Sequence, residues 1–188
     1  MIAKTALEIE VAETWATFLK RKTMLTGHPS FGLVLGGEGV PFGPLQGMLA
    51  SLLYIDAVSI FDAATATQMT EAEHANLSTL NRRLKARDAA GKLLDGKACH
   101  RVRERRNNVA HEVIEATEAE LNEAITVLHG QLQAWGVVGP PPAYGFHAER
   151  SGARASDKPG GSIAFDYEVG VKRGETWVLK YSFTKEIG

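Results

Sequence analysis

A chain of 188 residues is long enough for one main core with an appendage and too short for two full-sized domains. With 44% hydrophobic and 23% charged residues, the composition is that of an ordinary globular protein and excludes a disordered or membrane-embedded class. The formal net charge of −1 excludes a protein that coats nucleic acid over its whole surface, so any basic surface must be local.

Cys99 is the only cysteine, so neither an internal disulfide nor a cysteine metal cluster can form, and a reducing cytoplasm suits the chain. The opening stretch MIAKTALEIEVAETWATFLKRK spreads acids among its apolar residues and reads as neither a secretory signal nor a transit peptide. No stretch is expected to supply the roughly 18 to 20 apolar residues of a membrane span. The expectation is a cytoplasmic protein with no membrane partner.

Residues 5–25 place Leu7, Val11, Trp15, Phe18 and Leu19 at helical spacing and predict a first helix. Residues 26–44 are too rich in glycine and proline for a helix and read as a connector with a short strand at residues 32–35. Its GGEG run lacks the lysine that a phosphate loop needs. Residues 45–66 predict a central buried helix on Leu45, Met48, Leu49, Leu52, Leu53, Ile60 and Phe61. Asp56 falls inside that apolar arc, where an ionised carboxylate is costly unless paired.

Thr70 and Glu73 form a capping box that opens a third helix, expected to run to about Ala90 and stop at Gly91. Asp95 starts a fourth, continuing to about Ala116. Thr117 and Glu120 form a second box for a fifth helix, whose Leu121, Ile125, Leu128 and Leu132 face inward before Gly136. The fold class is therefore mainly α, a bundle of about five helices over residues 1–135. Residues 136–161 read as a Gly/Pro-rich linker, and residues 162–188 as a C-terminal β-hairpin appendage built on SIAFDYEVGV and ETWVLKYSFT. A lone hairpin is marginal in water, so it must dock on the bundle, pair with another chain or bind a partner.

The fourth helix carries RERRNNVAHE, residues 103–112. On a helical wheel Arg106 falls inside the apolar arc of Cys99, Val102 and Val109, while His111 lies about 140° away on a polar stripe with Arg103 and Asn107. An inward arginine needs a counter-ion, and Asp56 is the natural one, giving an expected Asp56–Arg106 salt bridge. Asn107 and Asn108 are poor helix formers in mid-helix. Between Arg82 and Arg106 basic residues dominate, opposed only by Asp88, Asp95 and Glu104, whereas residues 112–123 carry acids and no basic residue. A basic sector ends at the motif.

RNNVAH, Arg106 to His111, resembles the R-x4-6-H motif of the HEPN superfamily of RNA-processing proteins, and the resemblance covers residues 1–135. It implies a homodimer in which two motif helices meet near the two-fold axis and pool their arginines and histidines. It further implies a metal-independent endoribonuclease of the kind that serves as a toxin or phage-defence effector, with an antitoxin or regulator as a further partner. His111 would be the acid or base and Arg106 the phosphate clamp, Asn107 would orient His111 or contact phosphate, and attack by the ribose 2′-oxygen would leave a 2′,3′-cyclic phosphate. RNA would approach over Arg101, Arg103 and Arg105. Toxins of one branch carry a tyrosine two residues after the histidine, modified by a partner nucleotidyltransferase; Val113 stands there, so that control is not expected. The alternatives are a non-catalytic HEPN-like module for RNA, nucleotide or a protein partner, and a plain bundle whose hairpin mediates assembly.

Neither a metal nor a cofactor is expected, since the six histidines show no close ligand spacing. No GxSxG context is present, and Cys99 on an apolar face reads as a buried thiol. Tyr167, Trp177 and Tyr181 are able to stack on bases, but a hairpin this apolar more often holds itself to a core.

Overall fold

A computed structural model describes residues 5–26, 43–112, 114–155 and 161–187. The connector, with its expected strand at residues 32–35 and its GGEG run, lies at residues 27–42, outside the described ones. Among the described residues the helices are α1 (Ala6–Thr26), α2 (Gly43–Thr67), α3 (Glu71–Asn76), α4 (Leu80–Ala89), α5 (Gly96–His111) and α6 (Glu118–Ala134). They are followed by the strands β1 (Gly145–Ala155), β2 (Ile163–Arg173) and β3 (Thr176–Ile187). The chain divides into two units: α1 up to Phe18 with α2 to α6 and the residues to Pro141, and α1 from Leu19 with the sheet.

In the helical unit α2 is the centre, packed against α4, α5 and α6. Its buried face is built on Ala50, Leu53, Tyr54, Ala57, Val58, Phe61, Ala64 and Thr65, a three-and-four repeat, with Ile60 buried beside it. That face is rotated from the expected one: Met48 and Leu52 are 47% and 57% exposed. The expectation that no stretch reaches membrane-span length is also corrected, because Gly47–Thr67 is long and apolar enough by length and composition. A helix surrounded by neighbours needs few polar positions, which is why it passes that test.

Trp15 and Phe18 of α1 are buried in this unit, and the Trp15 indole N–H donates to His129 Nδ1 at 2.9 Å. His129 Nε2 in turn donates to the Gly139 carbonyl at 3.0 Å, which sets the ring's tautomer and holds the chain after α6. Gln131, 1% exposed, accepts from the Leu94 N–H (2.7 Å) and donates to the Lys92 carbonyl (3.3 Å), pinning the α4–α5 connection to α6.

Both capping boxes form, with Thr70 and Thr117 as N-caps of α3 and α6. The helix expected from Thr70 to Ala90 is broken, however, after Asn76. Thr79 caps a new helix by accepting from the Arg82 N–H at 3.3 Å, and Arg83 Nη1 takes the Leu77 carbonyl at 2.9 Å. A second capping residue inside the periodic pattern offers the backbone an alternative partner, and tertiary contacts at Arg83 make the break stable.

The second unit corrects the hairpin reading. The sheet is three-stranded and antiparallel in the order β1-β2-β3, and β1 comes from the stretch read as a linker. GFHAERSGARA carries one large apolar residue, Phe146, so periodicity gives no strand signal; the ladder with β2 supplies the order instead. Met24 of α1, 8% exposed, packs with Val169 and Val171, flanked by Tyr144, Phe146, Val178, Leu179 and Phe183. A third strand and one helical turn thus provide the core that a lone hairpin lacks. Gly170 sits where a Cβ would run into the Leu179 carbonyl of β3. Gly170→Ala should therefore cost about 1–3 kcal/mol, read as a lowered midpoint in urea with near-ultraviolet dichroism of Trp177 as probe.

Candidate functional site

α5 starts at its N-cap Asp95, whose Oδ1 accepts from the Ala98 N–H at 2.8 Å. Ala98, Cys99, Val102 and Val109 turn into the core. Arg103, Arg106 and Asn107 follow at three and four residue spacing and share one flank. They line a cleft of about 500 Å³ whose other walls are Val58, Ser59 and Asp62 of α2 and Thr79, Leu80 and Asn81 at the start of α4. The wheel set Arg106 apart from Arg103 and Asn107; the structure brings all three together. A wheel treats side chains as points, whereas two arginines on adjacent rows reach one hollow.

Arg106 Nη1 donates to Asn107 Oδ1 at 3.4 Å, and Arg103 Nη2 donates to the exposed Glu104 at 2.8 Å. The Nε–H groups of both arginines are shielded from solvent and meet no acceptor among the described residues. Among the described residues Asp62 is the one carboxylate lining the cleft, and Arg83 neutralises it through Asp62 Oδ1. Arg83 is itself held by Thr65 Oγ1 at 3.0 Å. The balance leaves two guanidinium groups facing a hollow with donors to spare, a setting that favours an anion.

The chain matches no family model, no curated protein and no solved structure.

The remaining expected site residues are dispersed. His111, the last residue of α5, is exposed and does not line the cleft. Asp56 is half-buried and forms no ion pair with Arg106, so the expected bridge is corrected; the cross-helix pair is Asp62–Arg83. The cause is the rotated face of α2, which leaves Asp56 at its margin and aims Asp62 at α4. Asp62 was open to detection as the second acid of an apolar helix, and Thr79 as a capping residue; Ser59 and Asn81 gave no signal.

Arg101 and Arg105 line a separate hollow of about 210 Å³ with Tyr54, Glu120 and Glu123. Arg105 meets Glu120 at 2.9 Å and the Glu115 carbonyl at 2.9 Å, so it joins α5 to α6. That hydrogen bond is the main reason the Glu120 carboxyl sits below the usual range; its contribution holds above the normal carboxylate pKa and fades as pH falls through the lowered one. Burial, with Glu120 adding, pushes the Tyr54 phenol up to about 12. Of the basic sector, Arg83 and Arg87 also point inward, to Asp62 and Glu73.

Burial, reinforced by Asp95 and Asp88, pushes the Cys99 thiol up to about 11. At pH 8 the native thiol should react with a disulfide reagent at least about 100-fold more slowly than in 6 M guanidinium, because both thiolate fraction and access are low. Stopped-flow absorbance checks this; equal rates would make Cys99 accessible.

Proposed function

We propose that the chain is a metal-independent endoribonuclease of the HEPN type, in which the cleft holds the RNA backbone and His111 of a second copy completes the site. The observation that carries the reading is that two arginines, Arg103 and Arg106, line one cleft in which Arg83 already neutralises the carboxylate of Asp62. A phosphodiester supplies acceptors to guanidinium N–H groups that face the cleft, and such groups suit its two non-bridging oxygens.

Arg106 clamps the scissile phosphate and stabilises the charge that develops as the 2′-oxygen attacks. Arg103 holds the same or the next phosphate, and Asn107 orients Arg106. His111, exposed at the end of α5, takes or gives the proton. It needs a symmetry mate to reach a cleft, and the exposed apolar side chains Met48, Leu52 and Ile114 supply a surface for one. Ala116 N–H donates to Ser51 Oγ at 2.8 Å, so the residues after α5 run beside the helix that bears Met48 and Leu52. The biological setting that suits such an activity is a toxin or phage-defence effector with a regulating partner.

Incubating the purified chain with mixed RNA in EDTA tests this. Fragments ending in 2′,3′-cyclic phosphate with 5′-hydroxyl partners are the expected products, and intact RNA at all salt concentrations sinks the enzymatic reading. The position of His111 outside its own chain's cleft favours a second reading, a binding module without catalysis; salt-sensitive RNA binding without cleavage would select it.

A further inference from the structure

The two long walls of the cleft differ in hydrogen-bonding sense. On α5 the guanidinium groups of Arg103 and Arg106 only donate. On α2 the groups only accept. Asp62 is a carboxylate with Oδ1 taken by Arg83, which leaves Oδ2 with no partner among the described residues. Ser59, one turn earlier on the same face, donates its hydroxyl proton to the Ile55 carbonyl at 2.8 Å and so turns lone pairs outward. A ligand that spans from these guanidinium groups to Asp62 and Ser59 therefore presents acceptors to the first and a donor to the second.

A ribonucleotide has this polarity: an acceptor-only phosphate, and on the same sugar a 2′-hydroxyl that donates. A deoxynucleotide presents a C–H at that point and would leave the Asp62 oxygen desolvated without a donor. Exocyclic base amines and the ring N–H of uracil, thymine and guanine are the other donors a nucleic acid carries. The ribose is favoured because it lies next to the phosphate that the arginines hold. We propose that Asp62 and Ser59 read the ribose 2′-hydroxyl and so restrict the cleft to RNA. The inference rests on the reading of the cleft as a nucleic-acid site and adds its discriminating residues. Arg83 is then a positioning residue, holding Asp62 with one oxygen turned to the cleft.

The test uses decamers of uridine and of deoxyuridine, because uracil has no exocyclic amine and its ring N–H is common to both, so that only the 2′-hydroxyl differs. Fluorescence anisotropy at low salt, in the His111→Ala background so that the RNA stays intact, gives the ratio of the two affinities. The unsubstituted cleft should prefer the uridine decamer about tenfold or more, the effect of one hydrogen bond to a charged acceptor. Asp62→Asn keeps an amide oxygen for Arg83 and turns an NH2 to the cleft; the ratio should fall below about threefold while deoxyuridine binding holds or tightens. Ser59→Ala, which touches none of Arg83's partners, should lower the ratio about threefold and so decides the matter if Asp62→Asn melts early.

Arginine-dependent binding with the same ratio in both variants overturns this inference alone. So does a ratio of one on uridine together with preference for cytidine, which would assign the donor to a base amine. No binding of either decamer, or binding that survives Arg103→Ala combined with Arg106→Ala, overturns the cleft reading and this inference with it.

Discussion

Arg106→Ala and His111→Ala should each lower RNA cleavage by about 100- to 10,000-fold, the range of a lost charge stabiliser or a lost acid–base group. An equimolar mixture of the two inactive variants, refolded together, should nevertheless recover about a quarter of the wild-type activity. The reason is symmetry. If a site takes Arg106 from one copy and His111 from the other, half of the mixed dimers are heterodimers, and each has one intact and one doubly damaged site. If both residues act within one chain, no mixture recovers activity. The exposed His111 and the cleft it does not line make the first outcome the expected one. Asn107→Ala, with its 3.4 Å contact to Arg106, should be milder and raise KM more than it lowers kcat.

The elements most legible in the sequence were those with a local chemical signature. Thr70–Glu73 and Thr117–Glu120 place their caps because a capping box is written within four residues, and Gly136, at φ 73°, ends α6 as expected. The break between α3 and α4 was not legible, since it depends on Arg83 reaching Leu77 and Asp62 from a partner helix. Strand β1 was hidden for a related reason. Its residues pair through backbone groups with β2, and backbone pairing leaves no trace in side-chain periodicity.

At the site, the inward lean of Arg106 was legible from Cys99, Val102 and Val109 on either side of it. Its counter-ion was not. The arc of α2 was set on Leu45, Leu49, Leu52 and Ile60, whereas the helix buries Leu53, Val58, Ile60 and Phe61 and leaves Leu52 exposed. A helix apolar on most faces has no sharp moment, so its phase is weakly determined and any polar residue on it is hard to orient. Counting basic residues misled in the same way, because charge in sequence does not say which guanidinium groups are already occupied.

Arg83→Met should cost about 3 kcal/mol of stability, and the reasoning bears on how the basic sector is understood. The Arg83 side chain is 8% exposed and is held by Thr65 Oγ1, the Leu77 carbonyl and Asp62. Removing it takes a donor from the part-buried Leu77 carbonyl and from Thr65 Oγ1, which keeps its own donation to the Asp62 carbonyl at 2.7 Å, at about 1–3 kcal/mol for the lost hydrogen bonds. The Asp62 side chain is 39% exposed, so water recovers part of the lost ion pair and the upper figures for buried pairs do not apply. For a chain of this size the loss should appear as a fall of about 6–12 °C in the melting midpoint. Arg82→Met, one residue away and exposed, should change stability by less than about 0.5 kcal/mol. The pair of variants separates two kinds of arginine in one run. If Arg83→Met left the melting point unchanged and abolished RNA binding, Arg83 would be a ligand rather than a strut, and Asp62 would be its counter-ion and no reader of the sugar.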